Sequence, residues 1–302
     1  MASNEITHSR AMDSSSMQDT NLNTIIFDTE THALEGRVIE AAYIPMTLAN
    51  GKASFKPSES FNQRYYPEAQ IDIAAMAVHH ILKQDLQGMP HYTKFTLSSD
   101  VEFIVGHNID YDIRAIKRSG VEGPFKPICT LALARRYLPH APAYNLAALS
   151  YYLSKDQAKV REVLKNAHSA LTDVNLTAAL MNHLIGVIPK EYKFNMQDLY
   201  MHSLECRIPV YMPFGEHKGK KIELVPDSYK QWLMKKGADD VFLQFALELD
   251  QANHYRRSFE TKHNLIPGTH TDYEFIGSRE PVTANIKEDL LNRLLEKSLE
   301  LK

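Results

Sequence analysis

The chain has no run of about 18 apolar residues, the length a helix needs to cross a bilayer. Its first 22 residues are polar and rich in Ser, Asn and Asp, with neither the apolar core nor the basic start of a signal peptide. No membrane association is expected, and the opening segment reads as a disordered tail. Positive charge is not in excess either: 34 Lys and Arg stand against 37 Asp and Glu, a formal net charge of -3. Without a broad positive field, contact with a polyanion has to be local or metal-mediated. Only two cysteines occur, Cys129 and Cys206, far apart and in no metal-ligand spacing. That excludes a disulfide scaffold and suits a reducing, cytoplasmic setting, with both thiols read as plain buried groups. No internal repeat stands out.

What is present is an ordinary globular composition, 302 residues of which 44% are hydrophobic, enough for one main domain plus additions. After the tail, three apolar runs separated by "NGK" and "KPSES" predict antiparallel strands at residues 23–30, 37–48 and 53–66. Asn50-Gly51 makes the hairpin turn, because both residues tolerate positive φ. "IDIAAMAVHHILKQDLQG" reads as a short helix and turn. "DVEFIVGHNIDYDIRAIKRSG" reads as a strand, Glu102 to Val105, running into a helix that ends at Gly120. Further helices are expected over "TLALARRYLP", "NLAALSYYL" and the long run "HSALTDVNLTAALMNHLIGVI". Strands first and helices later predict a mixed α/β sheet flanked by helices, 23–188. A small C-terminal α+β module is expected over 206–257, built as strand, glycine turn, strand and a helix from Asp227 to Lys236. A loop and an amphipathic helix occupy 258–302, and the leucines at 290, 291, 294, 295 and 299 are expected to pack on the chain itself.

The stretch "TIIFDTE" places two acids directly after an apolar strand. Side chains alternate along a strand, so Asp28 and Glu30 point the same way, their Cα atoms roughly 6.6 Å apart. A hard divalent cation between them would remove both their repulsion and their desolvation cost. A strand end emerging into solvent would look the same, and this pair alone does not choose. Two more segments add to it. "EFIVGHNIDYD" puts Asp112 at the start of a helix, with Asp110 competing for the same role. "HSALTD" puts His168 five residues before Asp173, an acid in the first turns of an apolar helix, costly unless neutralised. Alone, Asp112 could cap or solvate its helix and His168 could be a surface residue. Together, four carboxylates suffice for two Mg²⁺ ions about 4 Å apart, an arrangement that stabilises the attacking and leaving oxygens of a phosphoryl displacement. A histidine of pKa about 6.5 beside them can take the proton from the attacking water.

In order and spacing, "FDTET", "HNIDYD" and "HSALTD" resemble the three motifs of the DEDDh class of DnaQ-like 3′ to 5′ exonucleases. The order Asp28, Glu30, Asp112, His168, Asp173 spans about 145 residues. "MAVHHI", "ICTLALARRYLP", "YNLAALSYYL" and "TDVNLTAAL" are similar to connecting segments of the bacterial exodeoxyribonuclease X group, as is "PFGEHKGKKIELVPDSYKQWLM" to its small C-terminal module. The resemblance implies an RNase H-like fold and a Mg²⁺-dependent enzyme, with Mn²⁺ substituting. It would hydrolyse phosphodiesters from 3′ ends, with single-stranded DNA preferred, and release 5′-mononucleotides. It implies Asp28 bridging two metals, Glu30 and Asp173 completing the first site, Asp112 holding the second and His168 as general base. Thr31 and Leu34 would seat the terminal nucleotide, Leu34 against its base. Ala33 stands where a glycine is common. His79 would lie near the substrate backbone, or else be a partly buried histidine with an ordinary hydrogen bond. Asn108 would touch the nucleotide or cap a helix start.

Lysines 218, 220, 221, 235 and 236 either form a phosphate-binding face or are simply solvated. The partner is expected to be nucleic acid, DNA 3′ ends in the first instance. A 3′ to 5′ exoribonuclease on the same fold is the alternative. A nucleic-acid-binding protein on a retired nuclease fold is a further one, whose signature would be a missing acid, and none is missing here.

Overall fold

The computed structural model describes residues 23–165, 168–189, 195–237, 240–262 and 284–300. The expected tail, 1–22, and the loop at 263–283 lie outside the described residues. The sheet starts with β1 (Thr24–Thr31), β2 (Val38–Ala49) and β3 (Lys52–Phe55). Then come β4 (Phe61–Arg64), β5 (Phe103–Gly106) and β6 (Lys126–Cys129). The order is β3-β2-β1-β5-β6, with β4 also pairing to β2. β1 runs antiparallel to β2 and parallel to β5, which is in turn parallel to β6, so the sheet is mixed as expected.

The third strand differs from expectation. It is broken into β3 and β4 by a short 3₁₀ turn at Pro57–Glu59. Pro57 has no amide to give a ladder, and Lys56 before it is restricted as well. Both pieces pair with β2, at opposite ends. β6 was not foreseen: its four residues carry no period, and Pro127 is tolerated because the strand lies at the sheet edge.

The helices are α1 (Ile73–His79), α2 (Asp110–Arg118), α3 (Thr130–Tyr137), α4 (Leu146–Leu153), α5 (Gln157–Leu164) and α6 (Ala170–Val187). They continue with α7 (Met196–Arg207), α8 (Asp227–Lys236), α9 (Val241–Lys262) and α10 (Ala284–Leu299). α6 crosses β1, β2, β3 and β4, while α2 lies against β1 and β6. The main core contains Ile25, Ile26, Phe27, Ile104, Val105, Val174 and Met181, all fully or almost fully buried. Leu199 and Leu204 of α7 and Leu291, Leu295 and Leu299 of α10 join this same core. The leucine stripe of α10 thus packs on its own chain.

A second, smaller core holds Met212, Ile222, Val225, Leu233, Leu243 and Leu247. The two strands expected there reduce to one antiparallel bridge between Tyr211 and Lys221. The intervening loop closes instead on local bonds, Gly219 N–H to the Met212 carbonyl at 2.8 Å and Lys218 N–H to the Gly215 carbonyl at 3.1 Å. Gly215 and Gly219 both take positive φ, which turns the chain too sharply for a ladder to extend.

Candidate active site

β1 delivers the first two acids from a rigid base. Ile25, Ile26 and Phe27 are 0% exposed, so the strand cannot shift without opening the core. The alternation that buries them sends Asp28 and Glu30 to one face, where Glu30 stands opposite Glu40 of β2. α6 brings the third acid, because Asp173 lies in its first turn. One carboxylate oxygen each from Asp28, Glu30 and Asp173 lie within 4.8 Å of one another.

Asp112 stands just behind this group. The chain leaves β5 at Gly106, where a Cβ would come within 2.4 Å of Ile109 Cδ1 and 3.0 Å of the Phe27 carbonyl. That close passage sets α2 against β1. The Thr29 amide and hydroxyl both donate to Asp112 Oδ1, at 2.8 and 2.7 Å. Its charge is felt by Asp28, whose carboxyl it helps to hold up. Asp110 faces away: Arg207 of α7 donates from Nη2 to its Oδ1 at 2.7 Å and from Nε to its Oδ2 at 3.3 Å. Of the two acids, Asp110 is thus the one taken up by an ion pair, with an arginine 97 positions further on.

His168 sits at the entrance to α6 with its ring about half exposed, Nδ1 4.0 Å from Asp173 Oδ2. Its backbone adopts φ 62°, a left-handed turn that leads the chain into the helix. Thr31 is buried, and its hydroxyl donates to the Ala33 carbonyl at 2.7 Å and also meets the Tyr111 hydroxyl. Leu34 is 76% exposed at the tip of the following turn. That turn is tight at Gly36, where a Cβ would lie 2.5 Å from Ala33 N; Ala33 itself is not among the residues of positive φ and needs no glycine there. Asn108 is exposed, with φ 64°. Its side chain does not cap α2, whose first residue follows Ile109 with no side-chain cap, so the capping alternative for Asn108 is overturned. His79 is buried at the end of α1 and accepts the Ile81 N–H on Nδ1 at 3.0 Å. Burial lowers its pKa, and the Thr31 backbone and Glu40 carboxylate offset part of that.

Sequence reasoning overlooked Glu40, although "RVIEAA" carries the same signal as "IIFDTE", an acid inside an apolar strand. Glu40 is 3% exposed, accepts from Arg64 Nε at 3.0 Å and accepts the N–H of Ala170, the first residue of α6, at 3.0 Å. It therefore ties β2 to the helix that carries Asp173.

The four acids are electrostatically strained as they stand. Burial, then the charges of Asp112, Glu30, Asp173 and Glu40, hold the Asp28 carboxyl well above the usual range. Glu30 is pushed up to about 9, first by burial and then by Asp173, Glu40 and Asp112. Asp112 rises to about 7 through burial, against the lowering effect of the Thr29 hydrogen bonds. Asp173 is raised by burial, with His168 opposing. Among the described residues, no Lys or Arg pairs with any of the four. Oxygen donors crowded this way, without internal counter-charge, fit divalent cations as ligands.

The fold and this acidic cluster define the class. The model of the RNase T type exonuclease family matches residues 25–181, just over half of the chain, and the chain belongs to that family. The mixed sheet flanked by helices is accordingly the RNase H-like fold of DnaQ-like exonucleases. The PolC-type DNA polymerase III of Pediococcus pentosaceus is 27% identical over 183 residues, 58% of this chain. The chain spans only 12% of that polymerase's length. A solved structure of exonuclease X with 5′ overhanging duplex DNA is 28% identical, covers 59% of this chain and 99% of its own, and superposes with a TM-score of 0.43. E. coli exonuclease I with a dA16 oligonucleotide is 17% identical, covers 62% of this chain and 46% of its own, at a TM-score of 0.41.

Proposed function

We propose that the chain is a divalent-metal-dependent 3′ to 5′ exonuclease that takes DNA 3′ ends, single-stranded in preference, and releases 5′-mononucleotides. The observation that carries this is the group formed by Asp28, Glu30 and Asp173, three carboxylates with oxygens within 4.8 Å and no internal cation, inside an exonuclease-family fold. Asp28, Glu30 and Asp173 would hold one cation, and Asp28 with Asp112 a second. Mg²⁺ is the expected ion, with Mn²⁺ substituting. When bound, such ions supply the charge that stabilises an in-line phosphoryl displacement and ease the ionisation of the attacking water.

The remaining steps belong to the chain. β1 fixes Asp28 and Glu30, and Thr29 orients Asp112. His168, partly exposed and beside Asp173, accepts the proton from the nucleophile at its ring. Thr31 and the turn to Gly36 shape the seat of the terminal nucleotide. Leu34 would offer an apolar contact to its base, the exposed Asn108 would touch the same nucleotide, and His79 bonds the Thr31 backbone. Two buried thiols, Cys129 and Cys206, neither in a disulfide, support a cytoplasmic setting.

The test is release of nucleotides from 3′-labelled oligonucleotides of single-stranded DNA, duplex DNA and RNA, each also blocked at the 3′ end. Release that requires Mg²⁺ or Mn²⁺, stops with EDTA and is abolished by the 3′ block is expected; faster release from RNA would move the reading to an exoribonuclease. His168→Ala should cut turnover about a hundredfold to thousandfold while Mn²⁺ affinity is kept; an equal loss of metal affinity would contradict the general-base role.

A further inference from the structure

The small C-terminal unit differs from the rest of the chain in charge and in what it exposes. Residues 208–237 carry six lysines against three acids in a protein whose formal net charge is -3. Among the described residues, the large exposed hydrophobics include four aromatics, and three of them, Tyr211, Phe214 and Trp232, lie in this segment. A packed unit normally hides such rings. Its second core is closed by aliphatic residues instead, so these rings are not needed inside.

Around Trp232, His217, Tyr229 and Lys236 form a line. The glycine loop lies over Tyr229, since a Cβ at Gly215 would come 2.4 Å from the Tyr229 hydroxyl. The His217 ring meets Tyr229 edge-on at 4.6 Å, and Tyr229 meets Trp232 at 5.4 Å between centroids. Lys236 Nζ lies 5.3 Å from the Trp232 centroid. Tyr229, Trp232 and Lys236 follow helical i, i+3, i+7 spacing, so they share one face of α8 over about 10 Å. Lys218 and Lys220 are exposed in the loop that holds His217, and Lys235 is exposed in α8 three residues after Trp232. None of Lys218, Lys220, Lys235 or Lys236 has an ion-pair partner among the described residues. The other two lysines behave differently: Lys221 is near Glu223, and Lys230 is buried between Asp227 and Asp250.

Partly exposed rings close to unpaired ammonium groups are the chemistry that holds a single strand, the rings stacking on bases and the lysines meeting phosphates. A duplex hides its bases from such rings, and a protein partner would not need four uncompensated cations. We propose that this strip is a second, non-catalytic binding site for single-stranded polynucleotide, separate from the carboxylate cluster. It gives a chain of negative net charge a grip on a strand away from the end being cut. The proposal extends the exonuclease reading without resting on turnover.

Trp232 is the only tryptophan, so its emission reports this site alone. The full chain is titrated in EDTA, where no strand is digested, with dT20, rU20 and a blunt DNA hairpin. Quenching by the single strands, weak or absent with the hairpin, is expected. With dT20 carrying a 5′ fluorescein and binding read by its anisotropy, which needs no tryptophan, Trp232→Ala should lower dT20 affinity about tenfold and Trp232→Phe should restore most of it. Lys218→Ala, Lys220→Ala and Lys235→Ala combined should reduce the slope of log K against log salt by about 2. Hydrolysis of a trinucleotide should match the parent in all of them, which also shows that the variants fold; Phe214→Ala gives a second, independent probe of the strip. Equal quenching by dT20 and rU20 supports a site that reads bases and phosphates alike. No quenching at saturating dT20, or tighter binding of the hairpin, overturns the site. A chain that quenches but releases no nucleotides leaves the site standing and removes the exonuclease reading; one that digests strands without quenching does the reverse.

Discussion

Asp110 and Asp112 are two residues apart on α2 and meet opposite surroundings. Asp110 is held by the two-pronged guanidinium of Arg207, itself buried and further anchored to the Pro127 carbonyl and the Ser203 hydroxyl. Asp112 receives backbone amides and the Thr29 hydroxyl but no cationic side chain among the described residues, and its charge acts on Asp28. The same division separates Glu40 from Glu30, neighbours across β1 and β2. Glu40 has Arg64 and the Ala170 amide, whereas Glu30 has neither. Where a carboxylate serves to join elements, the chain supplies the counter-charge. Where carboxylates gather at the end of β1, it supplies none, and the burden of neutralising them is left to something bound.

The largest effect expected from breaking this contrast is in catalysis. Asp28→Ala should reduce nucleotide release by about 10⁴-fold or more, roughly 5.4 kcal/mol of barrier, as judged by single-turnover assays. The same variant should unfold in EDTA at the same or a higher urea midpoint than the parent, because a buried like charge has been removed. The opposite holds for the compensated acid. Arg207→Ala removes a guanidinium whose side chain is 4% exposed from Asp110, itself 21% exposed, and should cost about 1–3 kcal/mol of stability, read from urea denaturation. If the two variants lose stability equally, the contrast between the pairs is false.

A pH series sharpens the same comparison. Glu30, at about 9, and Asp112, at about 7, have folded pKa values above those of the unfolded chain. The folded state therefore holds protons that the unfolded state has lost. Their contribution is fully present below about pH 4 and is lost as pH rises through 7 and then 9. Without metal, stability should fall across this range by up to about 1.4 kcal/mol per pH unit for each retained proton. Saturating Mg²⁺ or Mn²⁺ should flatten or reverse the trend, since bound cations replace those protons. A metal-free melting temperature that climbs between pH 6 and 9 would contradict the cluster's electrostatics.

Much of this site was legible before the structure because its elements follow strong local rules. An apolar strand that ends in acids, a strand that turns into a helix and an acid at the start of an apolar helix each leave a mark on a short window. The arrangement of the sheet around β1 follows from the hairpin at Asn50-Gly51 and the parallel strand that must cross over. What escaped depends on distant partners. α7 is buried on several sides, with Leu199, Tyr200, Ser203, Leu204 and Cys206 all inside, so it has no polar stripe to reveal it. Arg207, at its end, is what separates Asp110 from Asp112. β6 is too short to show a period. Glu40 carried a readable signal, but its partners, Arg64 and the start of α6, are visible only in three dimensions.

The smallest expected effect concerns Leu34, which follows Glu30 by four residues and belongs to neither side of the contrast. At 76% exposure it contributes little to the core, so Leu34→Ala should change stability by less than about 0.5 kcal/mol. If its side chain covers the terminal base, the variant loses apolar contact made equally in ground and transition states. KM should then rise about fivefold to tenfold with kcat nearly unchanged. A strand whose 3′-terminal nucleotide is abasic separates this from a distorted turn. The parent should lose its advantage over Leu34→Ala on that substrate, because no base remains to be covered. If the variant is equally impaired on abasic and ordinary ends, the turn from Thr31 to Gly36 has moved, and the contact assigned to Leu34 belongs to the backbone instead.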